Sequence, residues 1–472
     1  MSEPSARSLD REILALALPS LATLLAEPLL TMADAAIVGH LSTPDLAGLG
    51  VGANISTTLV SLSIFLAYGT TGQVARRLGA GKRSSALRSG LDGIVLGLLI
   101  GIALLAFVEL CSGWLISLYR PDASVASAAH LYLSMLALGL PAALVMLSAT
   151  GVLRGLQDTK TPLVVSVSMN LLNIALTLGL VFGLRLGITG AAIGTVSAQT
   201  LAAVALVWRV LASSGEATNS ILSRRWGRSR NCARDDEMGK SGTTRPDGEE
   251  NWLRGYRPNP GAILAQAKTG GWLFLRSLGL NTAIVLTTGV AARMGASALA
   301  AHQVLNSLWS FMTYAMDAVA IAAQAMIGRY LGAGESAVVR RLMKRMLGYG
   351  VAIGLAVGLL VWAASGLYAP VFTPDPAVQA LVRATVVVFA LVTPVSGVVF
   401  VLDGVLIGAG DARYLALAQV INLVSYLPLL WAVTHFQADL TWLWLAYCGF
   451  MLSRMVTLSV RAAGSKWMRL GA

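Results

Sequence analysis

Twelve apolar stretches, each long enough to cross a bilayer, divide this chain of 472 residues into two groups of six. The first group falls at about 14–38, 46–75, 88–118, 124–152, 162–184 and 188–212. After a polar interval, the second falls at about 263–292, 299–328, 342–369, 377–407, 412–434 and 439–462. A hydrocarbon core about 30 Å thick takes about 20 residues of helix, and lipid offers no partner to a bare backbone N–H or C=O. Runs of this length must therefore be transmembrane helices. Only 12% of residues are charged, against about 25% in a soluble domain. The first 12 residues, MSEPSARSLDRE, are polar and of mixed charge, and the apolar run after them is too long for a cleavable signal peptide.

The two groups repeat each other at a constant offset of 253 residues. Leu46-Ala47 matches Leu299-Ala300, and Gly79-Ala80-Gly81 matches Gly332-Ala333-Gly334. Arg76, Leu78 and Arg88 match Arg329, Leu331 and Arg341, Pro121-Asp122 matches Pro374-Asp375, and Pro141 matches Pro394. GVLRGLQD at 151–158 matches GVLIGAGD at 404–411. So many coincidences at one offset mean duplication. Because each repeat holds an even number of spans, the halves insert in the same sense, about an axis along the membrane normal with a cavity between them. The expected fold is an all-α integral membrane protein of twelve transmembrane helices in two pseudo-symmetric six-helix lobes. The expected divisions are an N-terminal lobe at 1–212, a disordered linker at 213–262 and a C-terminal lobe at 263–472.

The net charge of +12 is written in the loops. If the N-terminus is cytoplasmic, that side holds Arg76, Arg77, Lys82, Arg83, Arg88, Arg154, Lys160, Arg329, Arg340, Arg341, Lys344, Arg345, Arg413, Arg461, Lys466 and Arg469. The opposite side holds Arg120, Arg185, Arg293 and Arg383. The positive-inside rule then places both termini in the cytoplasm. This placement speaks for topology and against nucleic-acid binding. The linker carries nine Lys and Arg against seven Asp and Glu between 213 and 260, and its GKS at 239–241 lacks the glycine spacing of a phosphate-binding loop. Cys111, Cys232 and Cys448 have no motif spacing and imply neither a disulfide framework nor a metal site. No nucleophile–base pair points to an enzyme.

Polar groups inside the spans carry the chemistry. The first span holds Glu27 and Asp34, seven residues apart, hence on one face and about 10 Å apart along the axis. A charged carboxylate in hydrocarbon is costly, and a proton removes that cost, which is what a proton-coupled carrier requires. A carboxylate satisfied by hydrogen bonds within the bundle is the structural alternative. Pro19 and Pro28 remove backbone hydrogen bonds from the same helix and can kink it. Asn170, Asn173 and Thr177 share one face of the fifth span, either to meet Asp34 or a cation, or as interhelical hydrogen-bonding glue. The eighth span aligns Asn306, Ser310, Thr313, Asp317 and Gln324, a stripe that must face protein or water. The second span has a weaker counterpart in Asn54, Thr58, Ser61 and Tyr68. Arg276, in the seventh span, is read as a nearly solitary cation. It would pair with Asp317 or Asp34, meet an anionic substrate group, or snorkel to the interface. Asp403, Asp92 and Glu109 lie near span ends and are read as boundary or loop-anchoring residues. His130 and His302 are weak signals.

The segments ALPSLATLLAEPLLTMADAAIVGHLSTPDLAGLGVG, TTGQVARRLGAGK and GVLRGLQDTKTP resemble multidrug and toxic compound extrusion (MATE) transporters. LRSL around Arg276, TYAMDAVAIAAQA around Asp317 and LDGVLIGAGD around Asp403 resemble the DinF-like branch. The resemblance covers the chain apart from the linker. It implies two lobes forming a V-shaped cavity, and export of drugs or organic cations driven by inward movement of protons or sodium. It makes Asp34 the coupling acid of the first span and Asn173 its polar partner. Thr177 stands where many relatives carry an acid, which argues against sodium coordination in this lobe, and Gln324 stands where some DinF-like relatives carry Glu.

The expected function is thus a secondary antiporter of the plasma membrane, exporting amphipathic or cationic drugs in exchange for protons, with sodium the other candidate ion. Coupling would use Asp34, Glu27, Asn173, Asn170 and Thr177. The substrate cavity would use Asn54, Tyr68, Arg276, Asn306, Thr313, Asp317 and Gln324. No cofactor, resident metal or nucleic acid is expected; the partners are small amphipathic molecules and membrane lipid, with the chain a monomer. The rival is a flippase for lipids or lipid-linked oligosaccharides, whose cavities tend to carry several cations.

Overall fold

The computed structural model describes residues 6–39, 43–229 and 256–471, apart from the side chains of 6, 27, 29, 31–33, 35, 36, 39, 43, 214–229 and 371. The described residues are almost wholly helical. In the N-terminal lobe these are α1 (Ala6–Gly39), α2 (Thr43–Leu62), α3 (Phe65–Gly79), α4 (Arg83–Ser117), α5 (Ala123–Ala137), α6 (Leu140–Gly155), α7 (Lys160–Leu178) and α8 (Gly187–Ser229). The C-terminal lobe has α9 (Pro260–Arg293), α10 (Ala296–Gly332), α11 (Ser336–Ala363), α12 (Ser365–Phe372), α13 (Pro376–Gly408), α14 (Ala412–His435) and α15 (Leu440–Ala463).

Ten spans among the described residues are long and apolar enough to cross a membrane, with α2 and α3 forming one of them. The pair α5 and α6, bent by 49°, makes an eleventh. The twelfth is α1, 34 residues long, which packs on α7 and α10. The twelve-helix, two-lobe architecture follows. The expected linker begins inside a helix, because α8 continues to Ser229; residues 230–255 lie outside the described ones.

The two halves differ where their prolines meet different neighbours. Pro141 follows Gly139 and Leu140, and the span breaks there into α5 and α6. Its repeat partner Pro394 follows Val392 and Thr393, and α13 continues through it. Proline removes one backbone donor in both, but only the first span breaks at it. In α1, Pro19 frees the carbonyl of Ala15, and the Thr159 hydroxyl lies 3.4 Å from it.

The lobes are tied on the face that carries the basic loops. There α3 crosses α10 at Gly79 and Gly332, which are 253 residues apart and related by the duplication. A Cβ on Gly79 would overlap the Arg329 carbonyl, and one on Gly332 the Arg76 carbonyl. Around this crossing Glu12 pairs with Arg329, Asp10 pairs with Arg345 at 2.6 Å, and Tyr330 donates to Glu12 at 3.3 Å. Arg345 beside Asp10 holds that carboxyl below the usual carboxylate range. Arg76 donates to the carbonyls of Ala409 at 2.8 Å, of Arg469, and of Gly471 at 3.2 Å. Asp92 accepts from the Tyr256 hydroxyl at 2.8 Å and the Asn259 backbone at 3.3 Å, so it anchors the entry to α9, as expected for a loop-anchoring residue.

Candidate functional site

In the N-terminal lobe, Asp34 is buried on α1 at 7% exposure. Asn173 and Thr177 on α7 and Thr195 on α8 are buried beside it, forming one polar chain. The Thr177 hydroxyl donates to the Asn173 Oδ1 at 3.1 Å, and the Asn173 amide donates to the Thr195 hydroxyl at 2.9 Å. The Thr195 hydroxyl sits 3.1 Å from the Ala191 carbonyl and also within hydrogen-bonding reach of Asp34. It has one proton and two acceptors for it. The close fit of α8 against α7 depends on Gly194, where a Cβ would press on Thr177. Asp34 keeps one oxygen, Oδ1, buried and without a hydrogen-bond partner. Asn170 lies apart from this chain: its amide donates to the Ala26 carbonyl on α1 at 2.7 Å. The Glu27 side chain falls outside the described residues.

Sequence reasoning had Asn173 facing Asp34; the structure inserts Thr195 between them. Thr195 was missed because a threonine in a membrane helix ordinarily bonds back to its own backbone and carries no sign of more.

The second site is a cavity of about 330 Å³ between the lobes. Ser61, Ile64 and Tyr68 line it from α2, α3 and the turn between them. The C-terminal lobe contributes Arg276 and Asn281 from α9, Asn306, Trp309, Thr313 and Asp317 from α10, and Tyr447 and Arg454 from α15. Of the expected cavity residues, Tyr68, Arg276, Asn306, Thr313 and Asp317 therefore meet in one place. Asn54 does not join them: its Oδ1 accepts from the Tyr119 hydroxyl at 2.9 Å, in the N-terminal lobe. Gln324 is also elsewhere, buried where α10 crosses α13 at Gly408.

Three readings of the charged residues need correction. Arg276 pairs neither with Asp317 nor with Asp34; it grips Asp403 on α13 by two bonds, Nη2 to Oδ2 at 2.7 Å and Nε to Oδ1 at 3.4 Å. Nor does it snorkel, since it is 8% exposed within the protein. Asp403 is a buried ion-pair centre rather than a boundary residue, for Arg454 on α15 also donates to its Oδ2. Arg276 is thus not solitary. The signal for Arg454 was present in the sequence, as a cation inside the last apolar run. Arg154, read as a loop residue, is buried on α6 within electrostatic reach of Tyr68 and Asp317.

Against known proteins, the family model MatE matches residues 19–178 and 273–432, two equal blocks that fall on the two repeats. The chain belongs to the MATE family of transporters. It is 28% identical to Protein DETOXIFICATION 44, chloroplastic, of Arabidopsis thaliana, over 96% of this chain and 82% of that protein. It is 27% identical to DNA damage-inducible protein F of Escherichia coli (strain K12), over 96% and 92%. Among solved structures, the Vibrio cholerae MATE transporter VcmN in the bent form superposes with a TM-score of 0.80 at 21% identity, covering 98% of each chain. That likeness concerns the fold. Family membership makes this MATE chain a multi-pass membrane transporter.

Proposed function

We propose that the protein is a secondary antiporter that exports amphipathic drugs and toxic compounds in exchange for protons, by alternating access. Relatives named as multidrug resistance proteins, such as the Thermotoga maritima NorM at 22% identity, support the cargo class. The observation that carries the coupling is the buried Asp34 with one oxygen unpartnered. Removing its charge by protonation relieves a penalty of several kcal/mol that the Thr195 hydroxyl offsets only in part and no cation offsets among the described residues. It also changes what Thr195 does, since a protonated carboxyl no longer competes with the Ala191 carbonyl for the hydroxyl proton. Helix α1, already deprived of two backbone bonds by Pro19 and Pro28, is the element free to respond.

In this reading the basic face is cytoplasmic, the membrane is the plasma membrane, and the ties among Gly79, Gly332, Glu12 and Arg329 close the inner side. The cavity then faces outward, and a proton arriving at Asp34 reshapes α1 and lowers the hold on the cargo. Proton rather than sodium is favoured because, among the described residues, Asp34 is the one carboxylate of its cluster; the other groups are two hydroxyls and an amide.

Proteoliposomes with independently imposed pH and sodium gradients, loaded with a fluorescent cargo, test this. The pH gradient should drive transport and the sodium gradient should not. Asp34→Asn should reduce pH-driven transport to the liposome background; accumulation as strong as wild type would show that the coupling lies elsewhere.

A further inference from the structure

The inter-lobe cavity has an electrostatic sense that the export reading leaves open. Two guanidinium groups, Arg276 and Arg454, form part of its wall, while Asp403, the carboxylate that orients both, sits behind them and does not line it. A third, Arg154, is buried within electrostatic reach of Tyr68 and Asp317 and has no ion-pair partner among the described residues. Asp317 is the acid that lines the chamber. Three cations therefore face two carboxylates, and one of those carboxylates is consumed by two arginines. Arginine cannot shed its charge as a carboxyl can, so the surplus is permanent. In a low-dielectric wall it acts strongly on whatever enters.

The donors are also incompletely used. Arg276 commits Nε and Nη2 to Asp403, and Nη1 has no acceptor among the described residues. Arg454 commits Nη2 to Asp403, while its Nη1 has only the Met451 sulfur at 3.7 Å, a weak acceptor that an oxyanion would displace. Next to this pair, Trp309 and Tyr447 offer an aromatic wall, with ring centroids 5.1 Å apart. We infer that the chamber binds amphipathic compounds through an oxyanion group, such as a carboxylate, held by Arg276 and Arg454 with the apolar body on Trp309 and Tyr447. Asp403 is the positioning residue that aims both arginines, and Asp317 opposes the bound anion. The inference rests on the export reading for its biological sense, but not on which ion drives transport.

Binding of two fluorescent dyes to the purified full chain in detergent tests it: a xanthene dye with a free benzoate, and its methyl ester. They differ in one charge. The acid should bind at least about tenfold more tightly, a preference of about 1.4 kcal/mol. Asp317→Asn, which breaks no ion pair, should tighten the acid and widen its preference over the ester. The triple variant Arg276→Gln, Arg454→Gln and Asp403→Asn, which removes both donors together with the acid that joins them, should abolish the preference while keeping ester binding, which doubles as the check on folding. Equal or tighter binding of the ester, a weaker acid complex in Asp317→Asn, or displacement of the acid by an equimolar isoprenoid-pyrophosphate lipid would overturn it. The last result would reassign the site to a lipid headgroup. If neither dye moves under any imposed gradient in proteoliposomes, the export reading fails while the binding preference stands.

Discussion

The two lobes descend from one repeat and have put opposite chemistry into equivalent halves. In the N-terminal lobe a single carboxylate, Asp34, is buried among neutral groups, Thr195, Asn173 and Thr177, and one of its oxygens goes unpartnered. In the C-terminal lobe Asp403 is buried just as deeply, at 5%, but two arginines hold it. Under the proposed coupling, the same residue type is a switch in one place and a fixture in the other. A buried ion pair is held in its charged form because either partner alone would be stranded, whereas a buried carboxylate with only hydroxyl and amide neighbours gains from losing its charge. Duplication supplied the scaffold, and the counter-ions decided the task.

Stability measurements sharpen this contrast most. Asp403→Ala leaves Arg276 and Arg454 facing each other without an acid, and should destabilise the folded protein by about 3–5 kcal/mol, seen as a large drop in thermal midpoint in detergent. Asp34→Asn, which the proposed coupling expects to abolish pH-driven transport, should leave the midpoint unchanged or raise it. If both substitutions destabilise equally, Asp34 is as structural as Asp403 and the contrast collapses. A smaller effect belongs to the hydroxyl between α8 and α1. Thr195→Val removes the acceptor for Asn173 and the proton offered to Asp34, at a cost of about 1 kcal/mol. It should shift the pH dependence of transport, whereas an unshifted profile would make Thr195 a packing residue. The smallest effect is at the basic face. Asp10→Asn removes a half-exposed pair that solvent screens, and should change overall stability little. Because Arg345 lowers the Asp10 carboxyl, wild type should hold this tie at neutral pH and lose it as pH falls below the ordinary carboxylate range. Hydrogen exchange at the start of α1 should rise in acid for wild type and differ little with pH in the variant.

The duplication was legible because each repeat needs the same small residues at the same close approaches. Gly79 and Gly332 meet the carbonyls of Arg329 and Arg76 across the lobe boundary. Gly151 and Gly404 likewise lie against Ala67 and Ala320, again 253 residues apart. Asp34 was legible for another reason: an acid inside an apolar run is costly wherever the run packs. The stripe of Asn306, Thr313 and Asp317 was legible from helical periodicity, which places residues on a face without regard to distant neighbours. Periodicity then overreached at Gln324, where the same face passes from the cavity into the crossing with α13.

Sequence by itself determined the number of spans, the two-lobe symmetry and the positions where a polar group in lipid demanded an explanation. Those follow from local physics, the cost of unpaired backbone and of charge in hydrocarbon. Only the tertiary structure decided who answers the demand. Arg276 and Asp403 are 127 residues apart, and Arg454 lies 51 beyond Asp403. Nothing in the run of any one helix shows which residues the fold of the lobe brings to its centre. The pairing of those charges, and with it the sign of the chamber, is a property of how helices cross.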